Sequence, residues 1–257
     1  MTTTNDRHLP YDSVFNFRDI GGYATGDGRT IRWRRLFRAG ALHTMSASEA
    51  RHAHEQLGVR GILDLRRPDE IASEGEDLGP LVARVDWRQN FSVIPMPDDP
   101  GPGLPGPVSQ TLDEAYGRGP SGPRYAAYLE RGASQLTSAL RLLSQAETYP
   151  AVVHCTAGKD RTGVVCALVM NLLGVDDATI VEDYALSNLS TQRLLAMRDV
   201  RPEKGEDVQG IYGAPPEAMR VFLVRLRESY GGARGYLRAQ GLSEAELDRF
   251  AEVLLEE

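Results

Sequence analysis

The stretch AVVHCTAGKDRTGVVCALVMNLLG, residues 151–174, restricts the fold more than any other part of the chain. It opens on β-branched apolar residues, so Ala151–Cys155 reads as a short buried strand. Thr162–Leu173 is apolar at helical length, and Gly174 supplies a helix stop. An apolar strand that turns within a few residues into an apolar helix is the repeating unit of an α/β domain.

The rest of the chain fits the same plan. Thr30–Gly40 alternates apolar and polar residues and predicts a half-exposed strand. Ser46 stands three residues before Glu49, a capping box, and Gly58 closes the helix that follows. Val59–Leu65 reads as a buried strand whose end delivers Asp64 into a loop. Tyr125, Tyr128, Leu129, Leu136, Leu140 and Leu143 recur at helical spacing, and helices are predicted over 178–198, 215–230 and 243–256, with a turn at Tyr230–Gly232. The expectation is an α/β fold with a central sheet flanked by helices and a helix-rich C-terminal half. Residues 1–12 read as a flexible lead-in and 13–257 as one domain. Within it, the proline- and glycine-rich loop 95–123 lies on the surface or acts as a lid.

A formal charge of −7 over 257 residues argues against a general nucleic-acid binder. No apolar run reaches membrane-spanning length, and MTTTNDRHLP lacks the basic and apolar stretches of a secretory signal. Two cysteines cannot build a disulfide framework. These features predict a cytoplasmic protein with reduced thiols, leaving export without a signal peptide open. Nothing in them fixes an oligomeric state.

Three chemistries could explain the crowding of Cys155, Lys159, Asp160 and Arg161. A nucleotide loop requires Gly-Lys-Ser/Thr, but Asp160 follows Gly158-Lys159, and Val153 stands where the leading glycine belongs. Metal fits no better. HAHEQLG begins like a zinc-protease helix, yet Gly58 occupies the second histidine position, while His154 and Cys155 face opposite sides of a strand. The remaining reading is an anion site. A strand ending at Cys155 and a helix opening near Arg161 aim the amides of Thr156, Ala157, Gly158 and Lys159, with the positive end of the helix dipole, at one point. Arg161 adds a planar fork suited to two phosphate oxygens. The same field favours thiolate over thiol at the cysteine of such a loop.

HCTAGKDRTG, residues 154–163, resembles the His-Cys-five residues-Arg-Ser/Thr-Gly signature of the cysteine-dependent phosphatases, the protein tyrosine and dual-specificity superfamily. NFRDIGGY (16–23), LFRAGAL (36–42), LDLRRPDE (63–70), VEDYALSN (181–188) and the tail from Tyr230 to Phe250 extend the resemblance to its bacterial tyrosine and lipid phosphatase branch. The resemblance implies a metal-free and cofactor-free phosphate monoester hydrolase in which Cys155 forms a phosphocysteine and Arg161 binds the phosphoryl group. Phosphotyrosine proteins are the expected substrate, with dual-specificity or phosphoinositide activity alongside. Thr162 would donate to the thiolate or cap the helix, and His154 would orient the loop. Lys159 would meet extra phosphates or neutralise Asp160. For the general acid, Asp160, Asp64 and the loop pair Asp98 and Asp99 stay open, and for Asp64 helix capping or a salt bridge with Arg66 is the other reading. Arg18 and Asp19 read as a structural pair beneath the site, and Cys166 as core. Two rivals remain: an inactive phosphate reader, and a sulfur-transfer or arsenate-reducing enzyme.

Overall fold

The protein is represented by a computed structural model that describes residues 7–73, 78–85, 91–94, 120–197, 201 and 207–257. Its main sheet has the order β1-β3-β6-β4-β5, formed by Arg18–Asp19 (β1), Leu36–Ala39 (β3), Ala151–His154 (β6), Gly61–Asp64 (β4) and Phe91–Val93 (β5). β1 runs antiparallel to β3; the other neighbours are parallel. Thr30–Ile31 (β2) pairs separately with Leu255–Glu256 (β7), which ties the chain's end to its beginning.

All four residues of β3, β4 and β6 are buried, as parallel strands covered on both faces must be. Successive side chains alternate between two cores. Leu36, Leu63 and Val153 join the larger cluster, and Phe37, Ile62 and Val152 the smaller. The smaller is closed by the N-terminal segment and by Ala50 of α1 (Ala47–Arg51). The larger packs against α3 (Gly122–Arg131), α4 (Ala133–Leu143), α5 (Asp160–Leu172), α6 (Asp177–Ala185), α9 (Pro216–Tyr230), α10 (Ala233–Ala239) and α11 (Glu244–Leu254). α2 (Pro68–Ser73), α7 (Thr191–Met197) and α8 (Val208–Tyr212) are short. Every residue of α5 from Arg161 to Met170 is buried, so the helix that follows β6 runs through the middle of the larger core.

The α/β architecture, the central sheet and the helical C-terminal half agree with the sequence reading; several details do not. Thr30–Gly40 is two strands, because Arg34 turns the chain through φ 58° while Asp19 accepts from its amide. The capping box at Ser46 and Glu49 forms, but the helix widens to a π-turn over His52–Gln56 before Gly58. The periodic run from Tyr125 to Leu143 breaks into α3 and α4 at Gly132. The helix expected over 178–198 is interrupted by a 3₁₀ segment at Leu186–Ser190. The lead-in is packed from Arg7 onward: its guanidinium lies 3.8 Å from the centre of the Tyr23 ring and donates to the Gly21 carbonyl. Residues 95–119 of the proline-rich loop, with Asp98 and Asp99, lie outside the described residues.

Candidate active site

Ala39, His154 and Asp64 are register partners at the C-terminal ends of three adjacent parallel strands, the edge where α/β sheets bind ligands. Cys155 follows His154, and α5 begins five residues later. Lys159, the N-cap residue, gives the helix no side-chain cap, so its first-turn amides are left for another acceptor.

Donors behind the loop take its carbonyls. Ala41 donates its amide to Thr156 O at 3.0 Å. Asn16 donates to Gly158 O at 2.7 Å and Ala157 O at 3.4 Å. Arg38 donates to Gly158 O at 2.9 Å and Lys159 O at 3.4 Å. In a planar trans peptide the next residue's N–H points opposite to the carbonyl. The amides of residues 157–160 are thereby turned away from these donors. Gly158, at φ +65°, lies so close to β3 that a Cβ would come 2.3 Å from the Ala39 carbonyl, so no other residue fits.

The donors are themselves fixed. Asp183, on α6, bonds Arg18 at 3.1 Å and Arg38 at 2.7 Å, all three side chains being essentially inaccessible. Burial opposes charge on Asp183, but the two guanidiniums outweigh it and hold its carboxyl well below the usual range. Arg18 also donates to the Asn16 carboxamide oxygen, which orients the amide toward the loop. Arg18 therefore pairs with Asp183 rather than with Asp19. Asp19 instead accepts from the amides of Gly21 and Arg34.

Arg161 is buried within the second residue of α5 and clamped by Glu70 of α2. Its Nη1 lies 2.6 Å from Oε2 and its Nη2 2.7 Å from Oε1; Thr156 Oγ1 donates to Oε1 at 2.5 Å, and Leu65 O accepts from Nη1 at 3.1 Å. Burial alone would raise the Glu70 pKa, but hydrogen bonding and charge from Arg161 bring it down to about 2.

The two aspartates differ. Asp64 stands where the strand was expected to deliver it, yet it is fully buried, with Arg66 Nε and Nη2 on its oxygens at 2.7–3.0 Å and His154 Nε2 at 3.6 Å. Burial works against its charge, but His154 and Arg66 prevail and keep the carboxyl below its ordinary range. Asp64 is thus enclosed at the strand end and engaged by Arg66 and His154. Asp160 is at the helix start with a third of its side chain (32%) open to solvent, and the Tyr125 hydroxyl donates to its Oδ1.

Lys159 is buried. Its ammonium donates to the carbonyls of Tyr212 at 2.9 Å and Gly213 at 2.8 Å, and stands 3.8 Å from Asp160 Oδ2. The buried Thr162 hydroxyl has no hydrogen-bond partner among the described residues, so the bond expected to the cysteine is not made. Cys155, 2% exposed, and Cys166 both border the larger core, and burial pushes the Cys166 thiol up to about 11. Both are free thiols. Among the described residues no group of three His, Cys, Asp or Glu side chains could hold a metal ion.

Sequence reasoning missed Asn16, Arg38, Glu70, Tyr125 and Asp183. The signal was available for four of them, since each lies inside one of the flanking motifs. Arg38 in particular is a single charge within an apolar run, the pattern of a buried ion pair.

The model of the tyrosine phosphatase family matches residues 9–256. The triple specificity protein phosphatase PtpB of Mycobacterium tuberculosis is 30% identical over 286 residues, covering 97% of this chain and 99% of that one. A tyrosine-protein phosphatase of Nostoc commune is 32% identical over 212 residues, 77% of this chain and 67% of that one. Among solved structures, that of Pseudomonas aeruginosa TpbA aligns with TM-score 0.36 at 17% identity, covering 72% of this chain and 88% of that one.

Proposed function

Because this chain belongs to the tyrosine phosphatase family, we propose that its phosphatase activity runs through a phosphocysteine on Cys155 within one domain that takes in the lead-in from Arg7. The observation that carries this reading is the backward pull on four consecutive loop carbonyls, which leaves the amides of 157–160 and an uncapped helix start for three phosphoryl oxygens. Cys155 attacks phosphorus as the bond to the leaving oxygen breaks. Asp160 gives that oxygen its proton, and water then cleaves the thiophosphate bond. Arg161, whose Nη groups are both held by Glu70, brings its positive charge to the phosphoryl group. His154 and Asp64 brace the strand ends beneath. A cytoplasmic setting, which would keep the Cys155 thiol reduced, goes with this reading.

Phosphotyrosine in proteins is the proposed substrate, and the relative named for triple specificity supports activity beyond it. The case for phosphoinositides rested on Lys159, whose ammonium is engaged by Tyr212 and Gly213, so that reading is the weaker. Cys155→Ser tests the mechanism: turnover of an aryl phosphate should vanish while vanadate still binds. Full turnover by this variant would remove the covalent route, and vanadate binding without turnover in the unaltered protein would make it a phosphate reader. Kinetics on a panel of phosphopeptides and phosphoinositides set the substrate class.

A further inference from the structure

Asp160 does not stand alone at the start of α5. The Tyr125 hydroxyl donates to its Oδ1, and the Tyr184 hydroxyl lies 2.7 Å from that of Tyr125. Both tyrosines are closed off, at 0% and 1% exposure, and their rings meet edge to face, 5.8 Å apart at 88°. A tyrosine has one hydrogen to donate. With that of Tyr125 given to Asp160, the contact between the hydroxyls requires Tyr184 to be the donor. The result is a directed chain, Tyr184 to Tyr125 to Asp160 Oδ1. Burial, with the Asp160 charge nearby, raises both phenol pKa values well above 10, so the hydrogens stay in place.

We propose that Tyr125, backed by Tyr184, is a positioning residue that fixes Oδ2 as the oxygen from which Asp160 releases its proton and stabilises the carboxylate left behind. The proposal rests on the reading of Asp160 as the general acid. While Asp160 is protonated, Oδ1 is occupied as an acceptor and the proton resides on Oδ2. During transfer the sulfur–phosphorus bond forms, the bond from phosphorus to the leaving oxygen breaks, and the Oδ2 proton moves to that oxygen. No proton travels along the tyrosines. Asp160 then becomes an anion in a partly enclosed site, where the neutral hydrogen bond from Tyr125 turns into a stronger, charge-assisted one. Lys159 Nζ, 3.8 Å from Oδ2, faces the same developing charge. An interaction that strengthens as the transition state forms raises the rate rather than ground-state binding.

The test compares kcat/KM for phenyl phosphate, a poor leaving group, with 4-nitrophenyl phosphate, a good one, in Tyr125→Phe, Tyr184→Phe, Asp160→Asn and Tyr125→Phe/Asp160→Asn. Tyr125→Phe should lose about 10-fold on phenyl phosphate and less than about 2-fold on 4-nitrophenyl phosphate, with an unchanged inhibition constant for inorganic phosphate. Tyr184→Phe should show the same pattern at smaller size, and the double variant should be no slower than Asp160→Asn. Equal losses on both substrates, weaker phosphate inhibition, or losses that add in the double variant would overturn the proposal while leaving a leaving-group-dependent Asp160→Asn, and so the acid reading, intact. A flat Asp160→Asn profile would overturn the acid reading and this proposal with it.

Discussion

Replacing Glu70 by glutamine removes the charge that holds Arg161 while keeping nearly the same shape. The Glu70 pKa falls from 4.5 to about 2 in the folded protein. A shift of that size corresponds to about 3 kcal/mol in favour of the ionised form. The two side chains are only 15% and 5% exposed, so solvent screening takes little from it. Because the folded-state pKa is the lower one, the stabilisation is complete above the unfolded value of 4.5 and disappears as pH falls through the folded value near 2. Glu70→Gln should therefore cost about 2–3 kcal/mol at pH 7, and roughly half of that at pH 3. Paired urea unfolding curves at the two pH values read both numbers. A loss under about 0.5 kcal/mol at pH 7, or one that stays constant down to pH 3, would refute the coupling drawn between Glu70 and Arg161. The variant should also lose on the order of 100-fold in kcat/KM on an aryl phosphate, since the guanidinium is no longer pinned in its plane.

Asp183→Asn leaves two buried guanidiniums without their anion and should cost about 3–5 kcal/mol in urea unfolding. Gly158→Ala forces a left-handed backbone on an alanine whose Cβ meets the Ala39 carbonyl, so a stability loss of at least about 2 kcal/mol with little remaining turnover is expected, measured by thermal melting and an aryl phosphate assay. Asp64→Asn should lower stability while slowing phenyl and 4-nitrophenyl phosphate equally; a preferential loss on phenyl phosphate would restore Asp64 as an acid.

The loop itself was legible because its parts are contiguous: a strand, a turn and a helix within 24 residues spell out their own geometry. What supports the loop was not. Asn16 and Arg38 are brought to Gly158 from 142 and 120 residues away, and Asp183 to Arg38 from 145. Only the sheet order, with β3 beside β6, and the packing of α6 against α5 bring them together. Arg18 was matched with its neighbour Asp19, although adjacent residues on a strand point to opposite faces and cannot share a pocket. The salt bridge of Asp64 with Arg66 was legible, because its two partners stand only two residues apart. Tyr125 looked like one more apolar position of a helix, since periodicity records where a side chain is buried and says nothing about its hydroxyl.

Within the trio of Arg18, Arg38 and Asp183, two cations share one anion. The surplus sits against the rear of the loop, at a depth where dissolved salt screens poorly. Folding thus leaves an electrostatic debt that an incoming dianion settles, whatever organic group it carries. Inorganic oxyanions such as sulfate should accordingly raise the melting temperature with no regard to leaving-group chemistry, by mass action on the native state alone.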